Sequence, residues 1–199
     1  MTDLLSPTPT PPLSKRARPG VAILVVVVLL VALVGFLRWR SSLDVLTSAT
    51  GTVTGPAQVG QTYYIDAGLV PPSDGNGPGS VTVTLDRVAA GATVYTRTAS
   101  SATSTGFPVD VVVCARRAGS AAVGVDNLQS DLEASCTSVR PLVLPETLDL
   151  GFDTNQLLYK VPVTEAGTYQ DFGMDVDYHQ GIRSGSLRAL ADVTLTAAK

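Results

Sequence analysis

Hydrophobic and polar positions divide this chain into one long apolar segment and a series of short alternating runs. The apolar segment extends from Val21 to Leu37 without a charged or strongly polar side chain. Its valine repeats leave no amphipathic period, which argues against a helix packed on a protein core. At about 1.5 Å per residue, a helix of this length extends about 25 Å, close to the hydrocarbon thickness of a bilayer. The pattern predicts a transmembrane helix over residues 20–40.

The flanks of this segment predict its direction. Three basic residues at positions 15–18 precede it and two, Arg38 and Arg40, follow it, so the charge bias favours a cytoplasmic N-terminus. Trp39 suits an interfacial anchor. The segment exceeds the usual length of a signal-peptide core, and the nearest small-residue site, Thr47–Ala49, lies beyond both arginines. An uncleaved signal anchor is therefore favoured over a cleaved signal peptide.

The rest of the chain divides by composition. Residues 1–19 are rich in proline and basic, which predicts a disordered cytoplasmic tail. Residues 41–50, rich in Ser, Thr and Ala, are expected to be a linker. Residues 51–199 are expected to form one extracytoplasmic domain, a size that can bury a normal core.

Short strand-like runs recur through the domain with turn residues between them. The candidate strands are Gln58–Ile65, Val81–Leu85, Thr93–Thr98, Val109–Ala115, Leu142–Leu150, Gln156–Val163, Gly167–Gln180 and Leu187–Thr196. Val109–Ala115 is apolar throughout, as in a central strand buried on both faces. Pro145 predicts an edge position for its strand. A helical turn is expected near Asn127–Ser135. Seven to nine short strands with regularly spaced turns predict an all-β, antiparallel β-sandwich.

Charge and cysteine content narrow the class of protein. Beyond the basic tail, 11 basic and 16 acidic residues leave a net charge of −5, which argues against binding to nucleic acid. Cys114 and Cys136 both follow the apolar segment. In an exported domain an even cysteine count favours one disulfide, with two buried reduced thiols as the alternative.

Motifs for catalysis are missing from the sequence. It contains no G-x-S-x-G, S-x-x-K, H-E-x-x-H or P-loop pattern. The single histidine, His179, is expected to face solvent at a strand end. We therefore expect no enzyme, no catalytic residue and no cofactor.

Carboxylates form the single candidate for a metal site. Calcium in sandwich domains is held by oxygen ligands from loops and strand ends. Two groups of side chains are candidates for this chemistry: Asp149, Asp153 and Asn155 in one loop, and Asp171, Asp175 and Asp177 along one strand. The alternative interpretation is that these acids form solvated strand faces and Asx-turns.

The segment Glu165-Ala166-Gly167-Thr168-Tyr169 resembles the tyrosine corner of immunoglobulin-like domains. An antibody-type cysteine would follow at position 171, where this chain has Asp171, so the antibody disulfide framework is not expected. Together with the anchor and the later Tyr178, Gly181 and Gly185, this pattern resembles uncharacterised single-pass envelope proteins of actinobacteria. That resemblance implies an immunoglobulin-like extracytoplasmic domain and carries no shared catalytic residues.

These features predict a single-pass membrane protein of the cell envelope with an exterior β-sandwich. The domain is expected to act as a binding or structural module through contacts with an envelope protein. The alternative is an anchored sensor or carrier domain that binds calcium, a glycan or a small apolar ligand.

Overall fold

The structure is a computed structural model of the 199-residue chain. It describes residues 19–48, 52–72, 79–97, 101–120, 123–124, 129–151 and 153–198. The chain divides into two compact units between Arg38 and Trp39. Except for Pro19, the predicted disordered tail lies outside the described residues.

Helix α1 extends over Pro19–Arg40 and confirms the predicted helix. Proline suits its first turn, where the missing N–H has no intrahelical partner. At the other end, the Ser42 hydroxyl donates to the Trp39 carbonyl at 3.0 Å and satisfies one of the last carbonyls. Its 22 residues extend about 33 Å, and the helix is long and apolar enough to cross a membrane.

The second unit consists of thirteen described strands and one short helix, α2 (Gln129–Ser135). The first seven strands are β1 (Thr47–Ser48), β2 (Val53–Gln58), β3 (Thr62–Asp66), β4 (Leu69–Val70), β5 (Ser80–Arg97), β6 (Ala102–Pro108) and β7 (Asp110–Arg116). The remaining six are β8 (Cys136–Pro141), β9 (Glu146–Gly151), β10 (Asn155–Pro162), β11 (Gly167–Gln180), β12 (Arg183–Ala191) and β13 (Val193–Ala198).

Strand pairing produces two facing layers. One layer has the order β2–β13–β11–β5, with β12 on β11 and β6 on β5, and the other has β3–β10–β7–β8. Strand β9 joins them, because it pairs with β5 along its length and with β10 at the single position Leu150–Asn155. These layers match the two sheets of an immunoglobulin-like domain. Strands β3, β10 and β7 correspond to its BED sheet, and β5, β11 and β12–β13 correspond to its CFG sheet. The predicted all-β sandwich is confirmed.

Two pairs depart from the predicted antiparallel arrangement. Strands β2 and β13 pair in parallel over six positions, and the contact of β9 with β10 is also parallel. Neither pair is joined by a hairpin, so chain connection does not impose an antiparallel direction.

The strands of the β3–β10–β7 layer bury both faces. On one face, Ile65, Val113 and Tyr159 contribute to the main core between the layers. On the other face, Tyr64 and Leu158 join a second apolar cluster, completed by Val112, Cys114, Val123, Leu132 and Cys136. This arrangement confirms that the run around Val113 is a doubly buried strand.

Several predicted strand limits are wrong. The candidate Gln58–Ile65 is interrupted by a turn at Val59–Gly60, where Gly60 has φ of 89°. Val81–Leu85 and the described part of Thr93–Thr98 belong to one strand, β5, because continuous pairing with β11 overrides the weak strand preference of the intervening residues. Strands β6 and β8 were missed because their residues are mostly exposed and polar and do not alternate.

The later limits agree better with the structure. Strands β10 and β11 match their predictions closely, and α2 lies within the expected helical turn. Strand β9 begins only after Pro145, and β5 is its single partner along its length, as expected at an edge. The candidate Leu187–Thr196 is wrong in its limits, because its residues are divided between β12, which begins at Arg183 after a two-residue turn, and β13.

The predicted linker over residues 41–50 is also wrong in its described part, residues 41–48. Leu43 and Leu46 are 4% and 1% exposed and belong to the main core. Serine and threonine dominate the composition here, but the two leucines supply apolar area whose burial offsets the ordering of the segment. Two residues, Ser41 and Ser42, separate the end of α1 from the first core residue.

Candidate functional site

The N-terminal corner of the sandwich comprises residues 39–48 and the turn Gln180–Arg183. Here the Leu43 N–H donates to the Ser184 carbonyl at 3.1 Å, and the Tyr178 hydroxyl donates to the Leu43 carbonyl at 3.0 Å. Burial raises the pKa of the Tyr178 hydroxyl, as expected for a phenol withdrawn from water. These bonds hold the segment along the free edge of β12.

Glycine at position 185 permits this close approach. A Cβ atom there would overlap the Leu43 carbonyl oxygen and lie 2.8 Å from the Tyr178 ring and hydroxyl. Because a real Cβ does not approach other heavy atoms so closely, any side chain at Gly185 must displace the segment.

Arg183 connects the turn to Trp39, in the last turn of α1, and to Ser42, which follows the helix. Its guanidinium lies 5.2 Å from the centre of the Trp39 ring, within the range of a cation–π contact. The same group donates from Nη2 to the Ser42 carbonyl at 2.9 Å. The side chains of Trp39 and Arg183 thus join the two segments of the N-terminal corner.

The acids of β11 form pairs across the sheet surface. Asp175 lies 3.9 Å from Arg188 and Asp177 lies 3.8 Å from Arg87, with all four side chains about half or more exposed. Asp171 has φ of 59° at an irregularity in the pairing with β5, and its carboxylate accepts a hydrogen bond from the Tyr95 hydroxyl at 2.8 Å. The acids of β11 therefore lie on a strand face open to solvent, as in the alternative interpretation.

The second candidate group for calcium forms a turn. The Asp149 carbonyl accepts hydrogen bonds from the Thr154 hydroxyl at 2.7 Å and from the Asn155 amide at 2.9 Å. Asp153 is exposed on this turn. Across the described residues, no group of three or more His, Cys, Asp or Glu side chains could hold a metal ion. The calcium hypothesis therefore gains no geometric support from this part of the chain.

Cys114 and Cys136 form the predicted disulfide, with Cα atoms 5.6 Å apart. The bridge joins β7 to the start of β8, directly after α2, and both sulfurs lie in the second apolar cluster. It fastens α2 over the outer face of the β3–β10–β7 layer instead of joining the two layers. Its role in the fold is therefore local stabilisation of this outer cluster.

A buried polar group that the sequence pattern did not indicate lies at the edge of the same cluster. Gln156 is 3% exposed, and its side chain accepts from Arg116 at 3.2 Å and donates to Asp66 at 3.4 Å. Burial raises the pKa of Asp66 to about 6, despite the hydrogen bond from the Gly68 N–H and the charge of Arg116. These residues are separated by up to 90 positions in the chain, so no local pattern could reveal them.

The expected tyrosine corner is present. The Tyr169 hydroxyl donates to the Glu165 carbonyl at 3.0 Å and accepts from the Glu165 N–H at 3.2 Å. Its ring is 2% exposed and packs edge-on against Phe107, with ring centres 5.9 Å apart. His179 faces solvent as predicted and lies 2.7 Å from the Asp86 carboxylate.

An exposed apolar ridge borders the loop between β8 and β9. It comprises Val143 and Leu144, which are 69% and 36% exposed. Beside it lies a groove of about 340 Å³ with a mostly aliphatic lining, to which Val111, Leu142 and Leu144 contribute. Asp110 and Lys160 are the charged residues of this groove. Clustered exposed aliphatic side chains are typical of interaction surfaces.

Comparison with known proteins finds no family model, curated protein or solved structure that matches the chain. The resemblance to actinobacterial envelope proteins stays a prediction.

Proposed function

We propose that this chain is a single-pass membrane protein whose β-sandwich is a binding or structural module of the cell envelope. In this proposal the N-terminal tail is cytoplasmic, α1 is an uncleaved anchor and the sandwich is extracytoplasmic. The module acts through contacts with another envelope protein.

The length and composition of α1 support the anchor. The direction is supported by the basic residues before the helix. An exterior location also suits the Cys114–Cys136 disulfide, since such bridges persist in oxidising compartments.

The observation that carries the binding role is the apolar ridge. Val143 exposes 69% of its surface and stands beside the aliphatic groove, so contact with a partner would remove this area from water. We expect the partner to present an apolar side chain to the groove and a polar rim around it.

Photocrosslinking in intact cells tests this surface. A photoreactive amino acid at position 143 of the full chain should give a discrete protein adduct, and Leu144→Glu in the same chain should abolish it. The matched control is position 59, where Val59 is 46% exposed in the turn between β2 and β3. If positions 143 and 59 give the same adducts, or none, the ridge is not the contact surface.

The groove also favours a second candidate function, that of an anchored carrier or sensor for a small apolar ligand. Its volume of about 340 Å³ falls at the low end of small-molecule sites. Thermal stabilisation by a fatty acid or an isoprenoid alcohol, lost on Val111→Asp, would support this function. Thermal stabilisation by calcium or by a glycan would instead indicate a sensor or carrier domain that binds that ligand.

A further inference from the structure

We propose that the turn between β11 and β12 is a membrane contact that inserts Ile182 into the lipid headgroup layer. The inference rests on the proposed function, because it takes the apolar segment of α1 as a membrane span. It adds a second attachment of the sandwich to the bilayer besides the chain itself.

The position of Trp39 locates the turn. Trp39 follows the apolar segment by two residues, so an inserted span places its indole at the membrane–water interface. Arg183, the first residue after the turn, stacks on this indole at 5.2 Å and donates to the Ser42 carbonyl. These contacts hold the turn beside Trp39.

The chemistry of the turn fits that level. Gly181, with φ of 59° at the first central position, allows a two-residue turn that places Ile182 at its tip. Ile182 is 62% exposed and Trp39 is 48% exposed. A large aliphatic residue beside an indole and a guanidinium is typical of segments that rest in a bilayer interface.

Charge around the N-terminal corner favours an anionic lipid surface. Within this corner Arg40 and Arg183 are basic, whereas Asp44 is the acid of the segment that follows the helix. This excess of positive charge would attract anionic headgroups, each basic residue adding to the attraction close to the surface.

The structure also supplies a control at the opposite end of the sandwich. Strand β11 extends 14 residues from the tyrosine corner to the turn, about 45 Å. Val59, 46% exposed, lies near the far end, because the adjacent Gly60 N–H donates to the Val163 carbonyl at 2.7 Å beside that corner. Ile182, in the hairpin turn between β11 and β12, and Val59, in the turn between β2 and β3, are thus exposed aliphatic residues at opposite ends of the sandwich.

Lipid-based quenching tests the contact. Full-length Ile182→Cys and Val59→Cys variants are labelled with an environment-sensitive fluorophore and placed in nanodiscs of phosphatidylcholine and phosphatidylglycerol. Both native cysteines are engaged in the disulfide, so the new thiol is the site of labelling. With a lipid spin-labelled near its headgroup, we expect blue-shifted emission and several-fold stronger quenching at position 182 than at position 59. Equal quenching at the two positions would overturn the inference.

Trp39 separates this result from failure of the proposed anchor. It is the sole tryptophan, so its fluorescence in the unlabelled chain reports the end of the span directly. Quenching of Trp39 with no excess quenching at position 182 refutes the membrane contact and leaves the anchor intact. Absence of quenching at Trp39 refutes the anchor itself, and with it the basis of the inference.

Discussion

Three buried tyrosines of the sandwich allow a direct test of how its hydroxyl groups contribute to stability. Tyr159, Tyr169 and Tyr178 are 0%, 2% and 2% exposed. Replacing each by Phe removes one oxygen and leaves a ring of nearly the same shape. The surroundings of the lost oxygen, instead of its burial, should therefore decide the change in the free energy of unfolding.

The three hydroxyl groups differ in their partners. Tyr178 donates to the Leu43 carbonyl in a buried bond, so Tyr178→Phe leaves an acceptor unpaired and should cost about 1–3 kcal/mol. Tyr169 makes two bonds to the backbone of Glu165, an exposed residue that water can reach, so its loss should cost about 1 kcal/mol. The Tyr159 hydroxyl has no hydrogen-bond partner among the described residues. Tyr159→Phe should be neutral or stabilise the domain by about 1 kcal/mol, because it removes an unpaired buried hydroxyl.

Urea unfolding of a fragment comprising residues 39–199, the second compact unit, measures these differences. The three curves should share one slope and differ in midpoint, in the order Tyr178→Phe, Tyr169→Phe, Tyr159→Phe from least to most stable. A loss of more than about 1 kcal/mol for Tyr159→Phe would show that its hydroxyl has a stabilising partner. Equal losses at all three positions would refute the argument from partners altogether.

Three further changes test other parts of the structure. The pKa of Asp66 is raised by burial from 3.8 to about 6, so its protonated form favours folding, and the stability it contributes below pH 4 is lost as the pH rises through 6. Asp66→Asn should therefore remove a fall of about 3 kcal/mol between pH 4 and pH 7 in urea unfolding; parallel pH profiles for the two proteins would contradict the shift. Gly185→Ala should displace the segment around Leu43 and cost more than about 2 kcal/mol, because the new Cβ would overlap the Leu43 carbonyl. Gly119→Ala, with open space but φ of 74°, is the control for backbone strain alone and should cost less. Protease added to intact cells should remove the sandwich and spare an epitope on the basic tail, and digestion of the tail instead would invert the proposed topology.

Local patterns were sufficient for part of the candidate site. The tyrosine corner depends on residues four positions apart, and the seclusion of Cys114 on a doubly buried strand follows from an unbroken apolar run. The N-terminal corner could not be predicted in this way. Its segment looks like a linker by composition, and Leu43 is buried only because Ser184 and Tyr178, more than 130 residues later, offer it partners.

The sequence by itself determined the apolar helix, the sandwich class, the doubly buried strand and the two cysteines that pair, because each depends on the periodicity or chemistry of neighbouring residues. The tertiary structure alone decided which strands continue, which pairs run in parallel, and which polar groups share a buried site. Strand β5 continues through weak strand formers because β11 lies beside it, and Asp66 has a raised pKa because the fold withdraws its carboxyl group from water, an effect that outweighs the opposing charge of Arg116. Such effects arise from contacts between distant parts of the chain, and their energies exceed the local preferences that a sequence pattern displays.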